Sequence, residues 1–89
     1  IMLTKKFVIK CDEGFHLRPA QVFVETASQY NSEFIIKKSD TEEANANSIL
    51  GLMSLGLDKG DEVTVTVSGP DEEVAMQAVE KLFDNNFGE

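Results

Sequence analysis

Cysteine, histidine and basic residues are all scarce in this 89-residue chain, and each shortage excludes something. The single cysteine, Cys11, cannot close an internal disulfide. With only one histidine beside it, it cannot complete a four-ligand zinc site either. Cys11 lies in strand-like sequence, where a thiol reads as a small buried apolar group. Sixteen acidic residues against eight basic ones give a net charge of −8. Nucleic acid and anionic membrane surfaces need a basic patch, so both are disfavoured as partners, while a basic protein surface fits. No apolar run approaches the roughly 20 residues that cross a bilayer. No signal-like apolar core precedes Lys5 and Lys6. A cytoplasmic, reduced protein is expected, and Ile1 in front of Met2 points to a native start at Met2. No nucleotide-type glycine loop, catalytic triad or metal-ligand cluster is present in the sequence, so neither a metal nor a cofactor is expected.

What is present suits one small domain over residues 1–89. Apolar residues make up 42% of the chain, which is ordinary for a globular protein and argues against disorder. Residues 3–11 alternate, with Phe7, Ile9 and Cys11 on one face and Lys6, Val8 and Lys10 on the other, as a half-buried strand does. Asp12-Glu13-Gly14 reads as a turn. Pro19 suits the first turn of a helix, and Ala20, Phe23, Val24, Ala27 and Tyr30 follow at helical spacing, which predicts a helix over 17–30. A second strand is expected over 33–39 and a weak, edge-like third over 42–45.

Ser48 is a good N-cap for a short helix containing Ile49, Leu50, Leu52, Met53 and Leu55, and Gly56 is a good stop. Not all five apolar side chains of so short a helix can face inward, so some are expected to form an exposed patch. Val63, Val65 and Val67 alternate strictly with polar residues over 62–68, the clearest strand in the chain. Pro70 and three acids then open a last helix with Val74, Ala75, Ala78, Val79, Leu82 and Phe83 as its stripe. Residues 85–89 read as a tail. The order β-α-β-β-α-β-α implies an antiparallel or mixed sheet covered by helices on one face.

The chemistry concentrates at Gly14-Phe15-His16-Leu17-Arg18-Pro19-Ala20, which holds the only histidine. An unprotonated imidazole is a usable nucleophile near neutral pH. Arg18 and the positive end of the first helix both oppose a positive charge on the ring. Both also stabilise an anion placed there, through a forked cation and free backbone N–H groups. The arrangement suits a histidine that accepts a phosphoryl group and hands it on. It equally suits a histidine that merely fills space at a helix start. Ser48 likewise has two readings, a plain N-cap or a regulatory phosphorylation site at a helix start.

The stretch from Gly14 to Ala20 resembles the phosphorylation motif of HPr, the histidine-containing phosphocarrier of the bacterial phosphoenolpyruvate:sugar phosphotransferase system. Asn47-Ser48-Ile49-Leu50-Gly51-Leu52-Met53-Ser54-Leu55-Gly56 resembles the regulatory-serine region of its Gram-positive-type members. The resemblance covers essentially the whole chain. It implies an α+β, open-faced β-sandwich: a four-stranded antiparallel sheet covered on one face by three helices. By the same resemblance, His16 takes a phosphoryl group at Nδ1 from enzyme I and passes it to IIA domains of sugar permeases. Arg18 contacts the phosphate. Ser48 is the site of HPr kinase/phosphorylase, and the Ser-phosphorylated form serves a catabolite-control transcription factor.

Leu17, Ala20, Ile49, Leu50 and Met53 would form the partner-docking surface of a monomeric carrier that is not itself an enzyme. Three positions depart from the pattern. Asn47 stands where lysine commonly precedes the serine, Leu50 where methionine is frequent, and the hairpin at Ser39-Asp40-Thr41 is about one residue longer. The competing readings are a regulatory paralogue acting mainly through protein binding and Ser48, an acylphosphatase-like enzyme, and an RNA-binding module. The last two lack, respectively, a phosphate-cradling loop and both a basic face and an aromatic-rich central strand.

Overall fold

In the computed structural model residues 2–88 are described. Among them β1 (Met2–Val8), α1 (Leu17–Ala27), β2 (Glu33–Ser39), β3 (Glu42–Asn45), α2 (Ile49–Met53), β4 (Glu62–Ser68) and α3 (Glu72–Asp84) follow in turn, and a 3-10 turn at Asn86–Gly88 closes the series. The four strands form an antiparallel sheet in the order β1-β4-β2-β3. The helices cover one face of it, which is the open-faced α+β sandwich expected from the sequence.

The last strand in sequence is central in space, and its composition explains why. Val63, Val65 and Val67 are buried, while Thr64 and Thr66 between them are half-buried on the open face. A strand paired on both edges hides its backbone and one whole face, which β-branched side chains suit. Val65 stands opposite Lys5 on one side and Ile36 on the other. Opposed residues share a face, so Lys5 lies on the helix side of the edge strand, where it forms an ion pair with Glu80 of α3.

The core draws on every layer. Ala20, Phe23 and Ala27 enter from α1, Leu52 from α2, and Ala75, Met76, Val79 and Phe83 from α3. Aromatic contacts tie helix to sheet: Phe7 stacks on Phe83 at 4.3 Å, and Phe23 meets Phe34 edge-on at 6.2 Å. Burying one such side chain fully contributes about 1.5–3 kcal/mol.

Four element ends differ from the sequence reading. β1 stops at Val8, where its partner β4 begins at Glu62. The alternation nevertheless continues inward through Ile9 and Cys11, both buried, and Ile9 still bonds to Asp61 and Gly60. α1 ends at Ala27 and not at Tyr30, because residues 28–30 tighten into bonds from Gln29 to Thr26 and from Tyr30 to Ala27. Just past this turn the Asp71 carboxylate accepts the Asn31 N–H at 2.8 Å and the Ser32 hydroxyl at 2.6 Å and holds the chain on its new course.

α2 ends at Met53, and the next turn closes through Leu55 to Leu52 and Gly56 to Met53. Gly56 takes a φ of 64°, as a helix stop requires. The expected tail is instead ordered packing. Phe87, only 3% exposed, fills space beside Phe83 and Phe15.

The Ser32 hydroxyl first, and then the Asn31 amide, hold the Asp71 carboxyl below the ordinary carboxylate value of 3.8. A carboxyl with a folded pKa below its unfolded one adds stability above the unfolded value and loses it as pH falls through the folded value. Urea unfolding of Asp71→Asn should therefore show a protein less stable than wild type at neutral pH, with the gap closing as pH falls below 3.8. A constant gap across that range would remove this role from Asp71.

Candidate functional site

His16 occupies the N-cap position of α1, with extended backbone angles of φ −85° and ψ −165°. Its carbonyl accepts the Ala20 N–H at 3.1 Å, the first bond of the helix. Its side chain makes no capping bond to the first turn. Pro19 has no N–H, so the first-turn donors nearest the ring come from Leu17 and Arg18. The ring itself is half-buried, while Leu17 and Arg18 are exposed.

The backbone before His16 is held tightly. Gly14 turns the chain with a φ of 76°, and its N–H donates to the Cys11 carbonyl at 3.0 Å. A Cβ on Gly14 would lie 2.4 Å from the Leu57 carbonyl oxygen. That same oxygen accepts the Phe15 N–H at 2.9 Å. Phe15 is buried and meets Phe23 of α1 edge-on at 6.3 Å. On the outer side Lys59 reaches the Asp12 carboxylate at 2.8 Å. That pair lowers the Asp12 pKa and raises that of Lys59, first through the hydrogen bond and then through charge attraction.

His16, Leu17, Arg18, Gln21, Val22 and Glu25 line a shallow depression of about 510 Å³. Its size and openness admit a phosphoryl group presented by another macromolecule. Gln21 and Glu25 escaped the sequence reading. They recur with Arg18 at helical spacing, and that spacing was the available signal. A second groove, of about 520 Å³, lies towards the other end of α1 and includes Val24, Ala27, Phe34 and Asn47.

Ser48 is an N-cap in fact, since its hydroxyl accepts the Gly51 N–H at 3.0 Å. α1 and α2 pack together. Asn47, next to Ser48, shares its groove with Val24 and Ala27 rather than with His16. Eight residues of helix separate His16 from Val24, about 12 Å of rise.

The exposed large apolar side chains of α1 and α2 are Leu17 at 54%, Leu50 at 80% and Met53 at 38%, and Val74 of α3 is exposed as well. Ile49 is half-buried against the core. Ala20 corrects the expectation. It lies one helical turn beyond His16 on the inward face and is fully buried, so it packs the core and offers no docking surface.

A small antiparallel sheet with helices on one face bears a half-buried histidine at the N-cap position of the first of them, and the sequence around it is that of a histidine phosphocarrier. The family model described as the PTS HPr component phosphorylation site matches residues 3–85. The phosphocarrier protein HPr of Treponema pallidum is 39% identical over 88 residues, covering 99% of each chain. The HPr-like protein Crh of Halalkalibacterium halodurans is 41% identical over 78 residues, covering 88% of this chain and 92% of that one. The crystal structure of an HPr from Thermoanaerobacter tengcongensis superposes with a TM-score of 0.89 at 40% identity, covering 98% of this chain and 97% of that one. The chain belongs to the HPr family of phosphotransferase-system phosphocarriers.

Gly14→Ala combines an unfavourable positive φ with a clash against the carbonyl that anchors Phe15. It is expected to cost about 1–3 kcal/mol in urea unfolding. The Phe15 amide should also lose its protection from hydrogen exchange, and a variant keeping wild-type stability and protection would contradict this account of the turn.

Proposed function

We propose that His16 carries a phosphoryl group between phosphorylated enzyme I, charged from phosphoenolpyruvate, and the IIA domains of sugar permeases. The observation that carries the reading is the placing of one half-buried imidazole at the start of α1, in a single depression with Arg18. In the forward step the lone pair of the ring Nδ1 attacks phosphorus. The bond from phosphorus to the donor nitrogen breaks, and its electron pair leaves with enzyme I. The transferred group keeps its negative oxygens throughout. The Leu17 and Arg18 N–H groups, the dipole of α1 and the Arg18 guanidinium stabilise those oxygens. The second transfer reverses the first, with the IIA side chain as nucleophile. The chain is a substrate at each step and needs no metal or cofactor for it.

Leu17, Leu50 and Met53 supply an exposed apolar patch on the helical layer for both partners, with Ile49 at its rim. One such patch can serve one partner at a time, which fits a monomeric shuttle. The donor chemistry is that of the cytoplasm.

Ser48 is the second proposed site, for ATP-dependent HPr kinase/phosphorylase. A phosphate there adds nearly two negative charges at the positive end of α2, two residues before Leu50. Asn47 beside it faces the groove at the far end of α1 and not the His16 depression, so the phosphate acts on docking through α2. The product would be read by a catabolite-control transcription factor. Asn47 and Leu50 change the surface that the kinase and this factor meet. The Crh relative favours a second reading, a regulatory paralogue that works through Ser48 and protein binding. The presence of His16 in its depression favours the carrier.

Incubation with phosphoenolpyruvate and enzyme I should place an acid-labile, base-stable phosphate on wild type and none on His16→Ala. Absence of labelling with several enzyme I sources would sink the carrier reading. With ATP and the serine kinase, Ser48→Ala should remain unlabelled, and equal labelling of both proteins would remove Ser48 from the scheme. Loss of its cap should also cost Ser48→Ala about 1 kcal/mol in urea unfolding.

A further inference from the structure

The turn after α3 adopts a backbone that its local sequence does not favour. Asn86 and Phe87 both lie in the left-handed region, with φ of 54° and 56°. Asparagine tolerates that conformation, but an aromatic residue rarely adopts it. The conformation persists because it drops Phe87 into the core. There its ring meets Phe83 edge-on at 4.9 Å and Phe15 edge-on at 5.4 Å. On the same turn the Asn86 side-chain oxygen accepts a hydrogen bond from the Cys11 thiol at 3.3 Å.

Cys11 and Phe15 are the two ends of the segment that turns at Gly14 and delivers His16. One terminal turn therefore holds both ends of it. Ties from Phe15 to Leu57 and from Asp12 to Lys59 come from the loop that leads into β4, and the Phe15 ring also meets Phe23 of α1. The turn at Asn86 and Phe87 holds the segment from a different side. Phe15 is bonded directly to His16, so a shift of its ring passes to the imidazole across a single peptide. In-line transfer is sensitive to such shifts, because a misplacement of about 1 Å can cost on the order of a hundredfold in rate.

We propose that Phe87 and Asn86 are positioning residues for His16. The left-handed turn after α3 fixes Phe15 and Cys11, and thereby sets where the imidazole stands when a phosphorylated partner docks. The inference rests on the reading of His16 as the phosphoryl acceptor. It separates two functions within the chain. Leu17, Leu50 and Met53 bind the partner, and the C-terminal turn aims the nucleophile.

The test follows phosphorylation by phosphorylated enzyme I at varied carrier concentration for wild type, Phe87→Ala, Phe87→Leu and Asn86→Gly. Phe87→Ala should lower the maximal rate roughly tenfold with KM changed by less than about twofold, because the docking residues are untouched. Phe87→Leu, which refills part of the space beside Phe15, should lose only about two- to threefold. Asn86→Gly relieves the backbone but removes the acceptor for Cys11, and should fall between wild type and Phe87→Ala. In Phe87→Ala the ring nitrogen resonances of His16 should also move.

Val67→Ala is the control, a core cavity on β4 opposite Leu3 and Phe34 at the end of the strand away from this segment. It should lose stability and keep the wild-type maximal rate. The proposal is overturned if folded Phe87→Ala transfers at the wild-type rate, or if Val67→Ala slows as much. Should Phe87→Ala not fold, Phe87→Leu decides: a maximal rate below that of Val67→Ala supports the proposal, and an equal rate overturns it. Labelling of His16→Ala would overturn the carrier reading itself. An unlabelled His16→Ala with wild-type rates for the turn variants overturns the positioning role alone.

Discussion

Insertion of β4 between β1 and β2 is the constraint on which the remaining architecture depends. Three buried valines on β4 pack under the helices while its backbone pairs on both edges. Because β4 runs antiparallel to β1, the loop entering β4 lies beside the loop leaving β1. The Leu57 carbonyl can therefore take the Phe15 N–H, and Ile9 can exchange bonds with Gly60 and Asp61. The position of His16 is thus set by a sheet register formed from residues more than 50 positions apart in sequence. A loop of seven or so residues could not hold an imidazole this firmly without such a template, since ordering each free residue costs about 1–2 kcal/mol.

The site depends on a contrast between a fixed backbone and an open surface. Gly14, Phe15, Pro19 and Ala20 are buried, and they present His16, Leu17 and Arg18 outward. A carrier must meet two different partners and release each of them, so a deep pocket would work against it. A shallow depression with the exposed Leu17 on its lining meets that requirement. The net charge of −8 belongs to the whole chain and not to this depression alone. Arg18 and the start of α1 bring positive charge to the depression, Glu25 lines it as well, and exposed acidic residues farther off are screened over about 8 Å.

Local structure was legible where a single segment carries its own signal. β4 has strict alternation, α1 has its proline and apolar stripe, and Ser48 and Gly56 carry the start and stop signals that bound α2. The site was legible for the same reason, because His16, Arg18 and Pro19 are neighbours in sequence. Illegible features each involve a partner distant in the chain. Asp71 holds the chain just past α1 from 40 positions away. Ala20 falls at the inward point of the helix only once the sheet beneath it is known. Phe87 looked like tail sequence, and nothing before or after it indicates a left-handed turn into the core.

Sequence alone therefore determined which elements form and where the candidate site residues fall along them, because helix caps, strand alternation and a histidine close to a cation are short-range properties. Tertiary structure alone decided how those elements were ordered and aimed. It chose β4 as the central strand, set the loop before β4 against the loop before His16, buried Ala20 and brought the C-terminal turn back under Phe15. These are long-range choices made by burial and backbone pairing across the whole chain. They depend on which surfaces fit together, a property no single segment contains.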